Sequence, residues 1–182
     1  MDKEGWILQQ KAFYSSAEKQ TKPELDHIDY KIFLKYIKKE DIVMELGCNE
    51  GLVLQWLKDN LSCYVRGFDV VPSSKPFVSE RDLNTGLPYS MTKFDVIGCF
   101  ATIEHLYNDW AILGNIKNHL KEGGYFIVSI PTAQNVSSNH IRYYPEIEWG
   151  RLMEMTGLEL VEKIKHPDYP NQQHRIWVYK NV

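Results

Sequence analysis

The chain has 182 residues, of which 43% are hydrophobic and 25% are charged, the balance of an ordinary soluble globular protein. The formal net charge of -3 argues against a nonspecific nucleic-acid binder, because such proteins usually carry a clear basic excess. No apolar run reaches the ~18 residues that would span a membrane, and the first residues lack the apolar stretch of a signal peptide. We therefore expect a cytoplasmic protein with neither a membrane nor a nucleic acid as partner.

Cysteine and histidine spacing gives no sign of a metal site or a disulfide framework. The three cysteines, Cys48, Cys63 and Cys99, are odd in number, and none belongs to a CxxC motif. His166 and His174 flank a turn at a spacing that fits no usual metal pattern, so we expect both on the surface. We therefore predict reduced thiols, as in other cytoplasmic proteins, and no metal.

The first part of the chain alternates helical and strand patterns. Residues 1–22 are polar with scattered aromatic side chains, which predicts an irregular or partly helical arm. From Pro23 onward, apolar residues recur every three or four positions, which predicts a helix. Residues 41–46 form a short β-rich apolar run that ends at a glycine loop, and residues 52–60 return to helical spacing.

The same alternation continues through the middle of the chain. Strands are predicted over residues 63–70, within residues 76–82 and over residues 94–100. The last of these is apolar on both faces, as in a strand buried inside a parallel sheet. Residues 110–124 predict one helix that ends at a glycine pair, and residues 125–131 predict a fifth strand.

The chain finishes with a helix over residues 145–157 and strands over residues 158–164 and 174–180. The link between these two strands is rich in turn residues and has no helical pattern, which predicts an antiparallel hairpin at one edge of the sheet. Strands that alternate with helices imply a mostly parallel sheet with right-handed crossovers. We predict an α/β fold of about seven strands with helices on both faces, in which residues 1–22 form an N-terminal arm and residues 23–182 form the core.

The loop after the first strand, ELGCNEG at residues 45–51, comes close to a dinucleotide fingerprint. That fingerprint is GxGxxG, with the pyrophosphate on the N-terminus of the following helix. Here the order is G-x-N-x-G and the next residue is Leu52, so the third glycine is missing. Glu45 and Glu50 flank the loop and would repel a pyrophosphate. The loop suits a ligand that has a cationic part and no phosphate.

This loop resembles motif I of the class I S-adenosylmethionine-dependent methyltransferases, in their small-molecule branch. The segments that resemble the remaining motifs follow in the right order over roughly residues 30–165: GFD, RDLNTGLP, FDVIGCFATIEHL, LKEGGYFIVSIP and TGLELVE. No single motif is specific to this family, whereas the ordered set of motifs is. The resemblance implies a single Rossmann-like domain over residues 1–182 that takes S-adenosylmethionine as cofactor and releases S-adenosylhomocysteine.

The resemblance also assigns the cofactor contacts. The residues that would line the cofactor are Glu45, Gly47, Cys48, Asn49, Gly51, Asp69, Val70, Asp82, Leu83, Phe100 and Ala101. Glu45 and the glycine loop would face the positive methionine part, and Phe100 and Ala101 would line the methionine and adenosine face. Asp69 would accept hydrogen bonds from both ribose hydroxyls. Asp82 would accept one from the adenine amino group, and the Leu83 N–H would meet an adenine ring nitrogen.

Each of these assignments has a plainer alternative. Glu45 could serve only as a loop cap. Asp69 could form a turn at a strand end, and Asp82 could form an Asx turn. Cys48 is interpreted as a small packed residue that contributes backbone contacts, not as a reactive thiol.

The chain departs from the family between Asp69 and Asp82, where a helix and a strand usually lie. The segment VPSSKP at residues 71–76 carries two prolines and cannot form a regular helix. We therefore predict that the crossover helix between strands two and three is lost or cut to a turn. The adenine side of the pocket would then be more open, or be covered by the N-terminal arm or by a partner chain.

Methyl transfer needs a base only if the acceptor must lose a proton, so the protein's main task is to position the reactants. His105 in the segment IEHL is the candidate base. Its alternative role is a helix-entry residue bonded to backbone, with Glu104 in a structural ion pair.

Candidate acceptor contacts come from three places: the arm, the segment after strand four and the long polar loop over residues 131–145. They are Tyr14, Tyr107, His140, Arg142, Tyr143 and Tyr144. Phe13 and Tyr14 are also candidates for a cap over the cofactor. The alternative for the loop is an ordinary surface segment whose tyrosines pack on the domain.

The resemblance as a whole implies a methyltransferase, monomeric or homodimeric, that acts on oxygen, nitrogen or carbon of a small-molecule acceptor. One rival is a noncatalytic protein that keeps the fold and the cofactor. A nicotinamide-dependent oxidoreductase is a weaker rival, because the glycine spacing argues against it.

Overall fold

The alternating patterns of the sequence give a seven-stranded sheet in the computed structural model, which describes residues 3–16, 21–133, 139–167 and 174–182. The elements in chain order are α1 (Lys3–Ser16), α2 (Ile28–Lys35), β1 (Ile42–Leu46), α3 (Leu52–Leu61), β2 (Tyr64–Asp69), β3 (Val78–Glu80), β4 (Phe94–Phe100), α4 (Trp110–Leu113), α5 (Ile116–His119), β5 (Leu120–Pro131), α6 (Glu146–Glu154), β6 (Glu159–Lys165) and β7 (His174–Lys180). Two 3₁₀ turns, Leu83–Thr85 and Ile103–His105, follow β3 and β4.

The strands lie in the order β3-β2-β1-β4-β5-β7-β6. β1 is parallel to both β2 and β4, and the parallel pairing continues from β2 to β3 and from β4 to β5. β7 runs antiparallel between β5 and β6, which confirms the predicted C-terminal hairpin. The order reverses between β1 and β4, and this is the point where open α/β sheets bind ligands beyond the carboxyl ends of their strands.

Helices cover both faces of the sheet, as predicted. Successive side chains of a strand point to opposite faces. Val43 in β1 accordingly packs in one buried cluster with Phe33 of α2 and Leu54 of α3. Its neighbour Met44 packs in a second cluster that contains Trp149 of α6. The two clusters hold the parallel strands rigid and so fix the positions of the loops at their carboxyl ends.

The crossover between β2 and β3 has no helix. Residues 70–77 are all described, and they form only turns and bends. The prolines at positions 72 and 76 explain this, because proline removes a backbone donor and clashes with the preceding turn. The predicted loss of this helix is therefore confirmed.

Two predicted elements differ in the structure. The predicted helix over residues 110–124 is two short helices, α4 and α5, separated at Gly114, and β5 already begins at Leu120. Leu120 pairs with Phe94 of β4, and this sheet contact outweighs the helical periodicity of the segment. The N-terminal arm is more regular than expected, because α1 is a 14-residue helix.

His166 and His174 are buried, so their expected surface location is wrong. His166 is 0% exposed and His174 is 5% exposed. The backbone N–H of His166 donates to the carbonyl of His174, which pairs the two residues across the hairpin. Burial lowers the pKa of His174 to about 4.

Across the parts of the chain that the structure describes, no helix has both the length and the apolar character needed to cross a membrane.

Candidate functional site

A cavity of about 250 Å³ lies at the carboxyl ends of β1, β2 and β4. Of the residues predicted to bind cofactor, acceptor or proton, those that line it are Gly47, Cys48, Asn49, Asp69, Val70, Asp82, Leu83, Phe100, Ala101, Tyr14 and His105. They come from segments that are far apart in the sequence. The parallel sheet brings them together because it ends all of its central strands on one side.

The glycine loop turns the chain from β1 into α3. Gly47 and Gly51 have φ angles of 73° and 67°, and Asn49 between them has a φ of 49°. Glycine adopts this left-handed region without strain, and asparagine tolerates it better than most residues do. The Gly47 N–H donates to the carbonyl of Phe68 at 2.8 Å, which ties the loop to β2. The tight turn thereby places residues 47–49 in the cavity wall.

Asp69 ends β2 beside this loop. Its Oδ2 accepts a hydrogen bond from the Asn49 N–H at 2.7 Å, and its Oδ1 accepts one from the Val71 N–H at 2.9 Å. Burial raises the pKa of Asp69 above its ordinary value, while these backbone donors act in the opposite direction. The carboxylate is therefore held at a fixed position, and each oxygen keeps a further lone pair for a ligand.

Asp82 begins the 3₁₀ turn after β3. Its Oδ1 accepts hydrogen bonds from the N–H of Asn84 at 2.9 Å and from the Asn84 side-chain amide at 2.7 Å. This is the Asx turn that the sequence left open as an alternative. The turn does not exclude a ligand, because Asp82 and Leu83 both line the cavity.

The segment after β4 forms the opposite wall. Ala101 has a φ of 44°, an unfavourable angle for a residue other than glycine. The Thr102 hydroxyl donates to the carbonyl of Phe100 at 2.8 Å and lies close to Gly47. A strained residue of this kind persists only where its surroundings impose it, and such residues concentrate at functional sites.

Glu45 and Gly51 do not line the cavity, in contrast to the other predicted cofactor residues. Glu45 is 1% exposed, and its carboxylate accepts a hydrogen bond from the Tyr30 hydroxyl at 3.2 Å. Burial raises the pKa of Glu45 to about 8. Tyr30 does line the cavity, so it stands between Glu45 and the open space.

His105 lies in the cavity wall with a defined tautomer. Its Nδ1 is 2.6 Å from the carbonyl of Asn139, and because a carbonyl only accepts, Nδ1 carries the proton. Nε2 therefore has the lone pair, and it accepts from the Tyr14 hydroxyl at 3.0 Å. Burial lowers the pKa of His105 to about 4 and raises that of Tyr14 to about 12. Both side chains are neutral at ordinary pH.

Glu104 lies buried beside this pair. The side chain is 0% exposed, and neither carboxylate oxygen has a hydrogen-bond partner among the residues that the structure describes. The expected structural ion pair of Glu104 is therefore absent from the described residues. Burial raises the pKa of Glu104 to about 8, so it is protonated near neutral pH.

The comparisons with known proteins agree with this geometry. The model of the family described as "Methyltransferase domain" matches residues 19–163. The chain belongs to the methyltransferase domain family. A protein of Mycolicibacterium smegmatis, named as a probable S-adenosylmethionine-dependent methyltransferase, is 28% identical over 138 residues. That match covers 67% of this chain and 53% of the relative, so the chain spans about half the length of that relative.

Two solved structures share the methyltransferase fold. The 1,6-didemethyltoxoflavin-N1-methyltransferase of Burkholderia thailandensis, bound to 1,6-didemethyltoxoflavin and S-adenosylhomocysteine, has a TM-score of 0.73 at 15% identity. The match covers 97% of this chain and 88% of that one. A Haloferax volcanii protein in complex with the Trm112 methyltransferase activator has a TM-score of 0.70 at 17% identity, with coverage of 100% and 98%. At these identities the likeness shows the fold alone.

Several cavity residues of the methyltransferase domain were not predicted from the sequence. They are Trp6, Ile7, Gln10, Pro23, Glu24, Tyr30, Glu50, Leu52, Val53, Arg81, Asn84, Thr102 and Leu106. The first three come from α1, whose helix lies across the cavity. Trp6 donates from its indole N–H to the carbonyl of His105 at 2.9 Å. The scattered aromatic residues of the arm were the only available signal for this contact.

Phe13 is 49% exposed and does not line the cavity of the methyltransferase domain, although its ring packs edge-on against Tyr14. Of the two predicted cap residues, only Tyr14 is therefore placed over the cavity.

The remaining predicted acceptor contacts lie outside the cavity: Tyr107, His140, Arg142, Tyr143 and Tyr144. The Arg142 guanidinium and the Tyr144 hydroxyl both donate hydrogen bonds to Asp109 Oδ2, at 3.0 Å and 2.7 Å. Tyr144 is 6% exposed. His140 packs against His105 with 4.8 Å between ring centroids. The structure thus places Arg142 and Tyr144 in a partly buried hydrogen-bond network, which agrees with the packing alternative for this loop.

Proposed function

We propose that this chain binds S-adenosylmethionine in the cavity and transfers its methyl group to a small-molecule acceptor. The observation that carries the proposal is the convergence of the glycine loop, Asp69, Asp82 and the segment after β4 on one cavity. Membership of the methyltransferase domain family supports the same reaction class.

The charge of the cavity favours a cationic ligand. Its acidic side chains are Glu24, Glu50, Asp69 and Asp82, whereas Arg81 is the one Lys or Arg side chain among its described lining residues. The Arg81 Nε donates to the carbonyl of Gly86 at 2.6 Å. A sulfonium and an ammonium group would be attracted to this lining, while a pyrophosphate would be repelled. The cavity therefore supports S-adenosylmethionine over a nicotinamide dinucleotide.

The position of α1 favours a small acceptor. Trp6, Ile7, Gln10 and Tyr14 all line the cavity, so this helix covers one side of it. Gln10 is 5% exposed, and its side-chain amide has no hydrogen-bond partner among the described residues. A buried amide that lacks a partner is costly, and a polar group of the acceptor or cofactor would satisfy it.

His105 remains the candidate base. With Nδ1 protonated, Nε2 is the atom that can accept a proton, and the Tyr14 hydroxyl now occupies it. An acceptor hydroxyl or amine that replaces the Tyr14 hydroxyl would place its proton on Nε2. The low pKa of about 4 makes His105 a weak base. It would therefore assist the departure of a proton during attack on the methyl group and would not ionise the acceptor beforehand.

Calorimetric titration of the full chain with S-adenosylmethionine, S-adenosylhomocysteine and NADH tests the cofactor. We expect the first two to bind and NADH to show no binding. In Asp69→Asn we expect at least about a hundredfold weaker binding of S-adenosylmethionine, because two hydrogen bonds to a charged group contribute about 3 kcal/mol. The matched control is Asp59→Asn, an exposed residue on α3. Binding of NADH alone, or unchanged affinity in Asp69→Asn, would contradict the assignment.

Catalysis is tested separately by incubating the chain and methyl-labelled S-adenosylmethionine with cell extract divided by size. We expect label in compounds of low molecular mass and none in protein or RNA. Label in a macromolecular fraction would overturn the small-molecule proposal. Cofactor binding with no label in any fraction would support the noncatalytic alternative.

A further inference from the structure

Three histidines and one aspartate meet at the end of the sheet edge, apart from the cavity lining. This group, which we call the histidine cluster, consists of His27, Asp29, His166 and His174. His27 and Asp29 lie at the start of α2, His166 follows β6, and His174 begins β7. None of the four lines the cavity.

The side chains of the histidine cluster lie within ligand distance of one another. The ligand atoms of His27, Asp29 and His166 all fall within 4.8 Å. His27 Nδ1 is 3.5 Å from one carboxylate oxygen of Asp29, and His166 Nε2 is 3.7 Å from the other. The ring of His174 lies 5.2 Å from that of His166 between centroids, so a fourth imidazole borders the same group.

The chemistry of this group is that of a transition-metal site. Imidazole nitrogen and carboxylate oxygen are standard ligands of Zn²⁺, at roughly 2.0–2.2 Å in a tetrahedral arrangement. That geometry separates neighbouring ligand atoms by roughly 3.4 Å, and here each imidazole nitrogen lies 3.5 Å or 3.7 Å from a different oxygen of Asp29. Asp29 is 5% exposed, and its Oδ1 accepts no hydrogen bond from any residue that the structure describes. A buried carboxylate is stable only when its charge is compensated, and a divalent cation would do this.

We propose that His27, Asp29 and His166, bordered by His174, bind a divalent transition metal of the Zn²⁺ class. The site differs from the expectation drawn from the sequence, in which no metal was predicted. Its ligands come from the start of α2 and from the end of β6, which are far apart in the sequence, so no local spacing motif predicts the site.

The bound metal would join α2 to the C-terminal hairpin and so hold one wall of the cavity. Pro23, Glu24 and Tyr30, which flank His27 and Asp29 in the chain, line the cavity. The Tyr30 hydroxyl also reaches Glu45 at 3.2 Å. We therefore expect the metal to stabilise the fold and the position of Tyr30. The metal proposal does not depend on the proposed reaction, because the cluster itself does not contact the cavity.

Glu104, His105 and His140 form a second group of possible ligands, and their ligand atoms also lie within 4.8 Å of one another. His105 already uses both ring nitrogens, one toward Asn139 and one toward Tyr14. Of these three residues only His105 lines the cavity, and the group provides an internal comparison for the test below.

The test uses the full chain after treatment with a chelator, titrated with Co²⁺ and followed by visible absorption. We expect one Co²⁺ per chain with the intense absorption of a tetrahedral site, and we expect Zn²⁺ to displace it. Zn²⁺ should also raise the melting temperature. In Asp29→Asn and His166→Gln we expect Zn²⁺ affinity to fall by more than the roughly 10–100-fold that outer-shell partners contribute. Circular dichroism verifies that each variant is folded.

Two matched variants decide where the metal lies. His119 lies outside both groups, and we expect His119→Gln to bind Co²⁺ as the unchanged chain does. We expect the same Co²⁺ binding in His140→Gln, which changes a member of the second group. Binding that is lost in His140→Gln but kept in Asp29→Asn would place the metal beside the cavity and overturn the proposal. Failure of the unchanged chain to bind Co²⁺ and Zn²⁺ saturably would overturn it as well.

Discussion

Gly47 is a position at which a side chain would meet both backbone strain and a steric clash. Its φ is 73°, and an added Cβ would lie 2.0 Å from the Thr102 hydroxyl oxygen and 2.9 Å from the Thr102 methyl carbon. We expect Gly47→Ala to abolish cofactor binding. We also expect it to lower the free energy of unfolding by at least about 1–2 kcal/mol, the cost of a left-handed conformation for a residue with a side chain. Urea denaturation and calorimetric titration with S-adenosylhomocysteine measure the two effects.

Gly150 is the matched control for this substitution. It lies inside α6, and an added Cβ would meet nothing within 4 Å. Alanine is favoured over glycine inside helices by roughly 0.5–1 kcal/mol, so Gly150→Ala should stabilise the chain and leave cofactor binding unchanged. If Gly47→Ala behaved like Gly150→Ala, the glycine loop would not be the rigid turn described above.

At the scale of elements, α1 acts as the cover of the cavity. It is held by the Trp6 indole N–H on the carbonyl of His105 and by the Tyr14 hydroxyl on His105 Nε2. Both contacts end on His105, which lines the cavity. A ligand that occupies the cavity should therefore order the helix. We expect S-adenosylhomocysteine to slow amide hydrogen exchange throughout α1. Trp6→Ala should speed exchange there and weaken cofactor binding by about tenfold, because it removes one hydrogen bond worth about 1 kcal/mol together with packing.

Leu8 provides the control on the same helix, because its side chain is 67% exposed. Leu8→Ala should leave both the exchange of α1 and the cofactor affinity as they are. Equal exchange of α1 with and without S-adenosylhomocysteine would show that the helix is not coupled to the ligand.

The elements that could be predicted from the sequence are those set by neighbouring residues. The strands, the glycine loop and the helix-free crossover all follow from local apolar spacing or from proline and glycine. The docking of α1 could not be predicted in the same way, since its contacts join residues 91 and 99 positions apart. The histidine cluster was missed for the same reason. The helix predicted over residues 110–124 failed because the pairing of Leu120 with Phe94 depends on the assembled sheet.

At the scale of the whole molecule, the ionisation of two buried acids, Glu45 and Glu104, opposes folding. Glu45 and Glu104 are 1% and 0% exposed, and burial raises the pKa of each from 4.5 to about 8. The unfolded chain loses these protons near pH 4.5, whereas the folded chain keeps them up to about pH 8. Across that window the folded state binds more protons. The stability that these two acids contribute is therefore full below the unfolded pKa and is lost as pH rises toward the folded pKa.

We expect the free energy of unfolding to fall as pH rises from 6.5 to 8, by up to about 1.4 kcal/mol per pH unit for each buried acid. Below pH 6.5 the lowered pKa of His105 and His174 gives a slope of the opposite sign, so that range does not isolate the acids. Glu104→Gln keeps the shape of the side chain but removes its titration, so it should reduce this slope by about half. Glu154→Gln, at an exposed position on α6, should leave the slope unchanged. Urea denaturation in the presence of a chelator, at several pH values between 6.5 and 8, measures the slope. A stability that rises with pH over this range, or an unchanged slope in Glu104→Gln, would show that Glu104 is ionised in the folded chain. Its buried carboxylate would then need a cationic partner, and a cationic ligand bound in the cavity would be the first candidate for that partner.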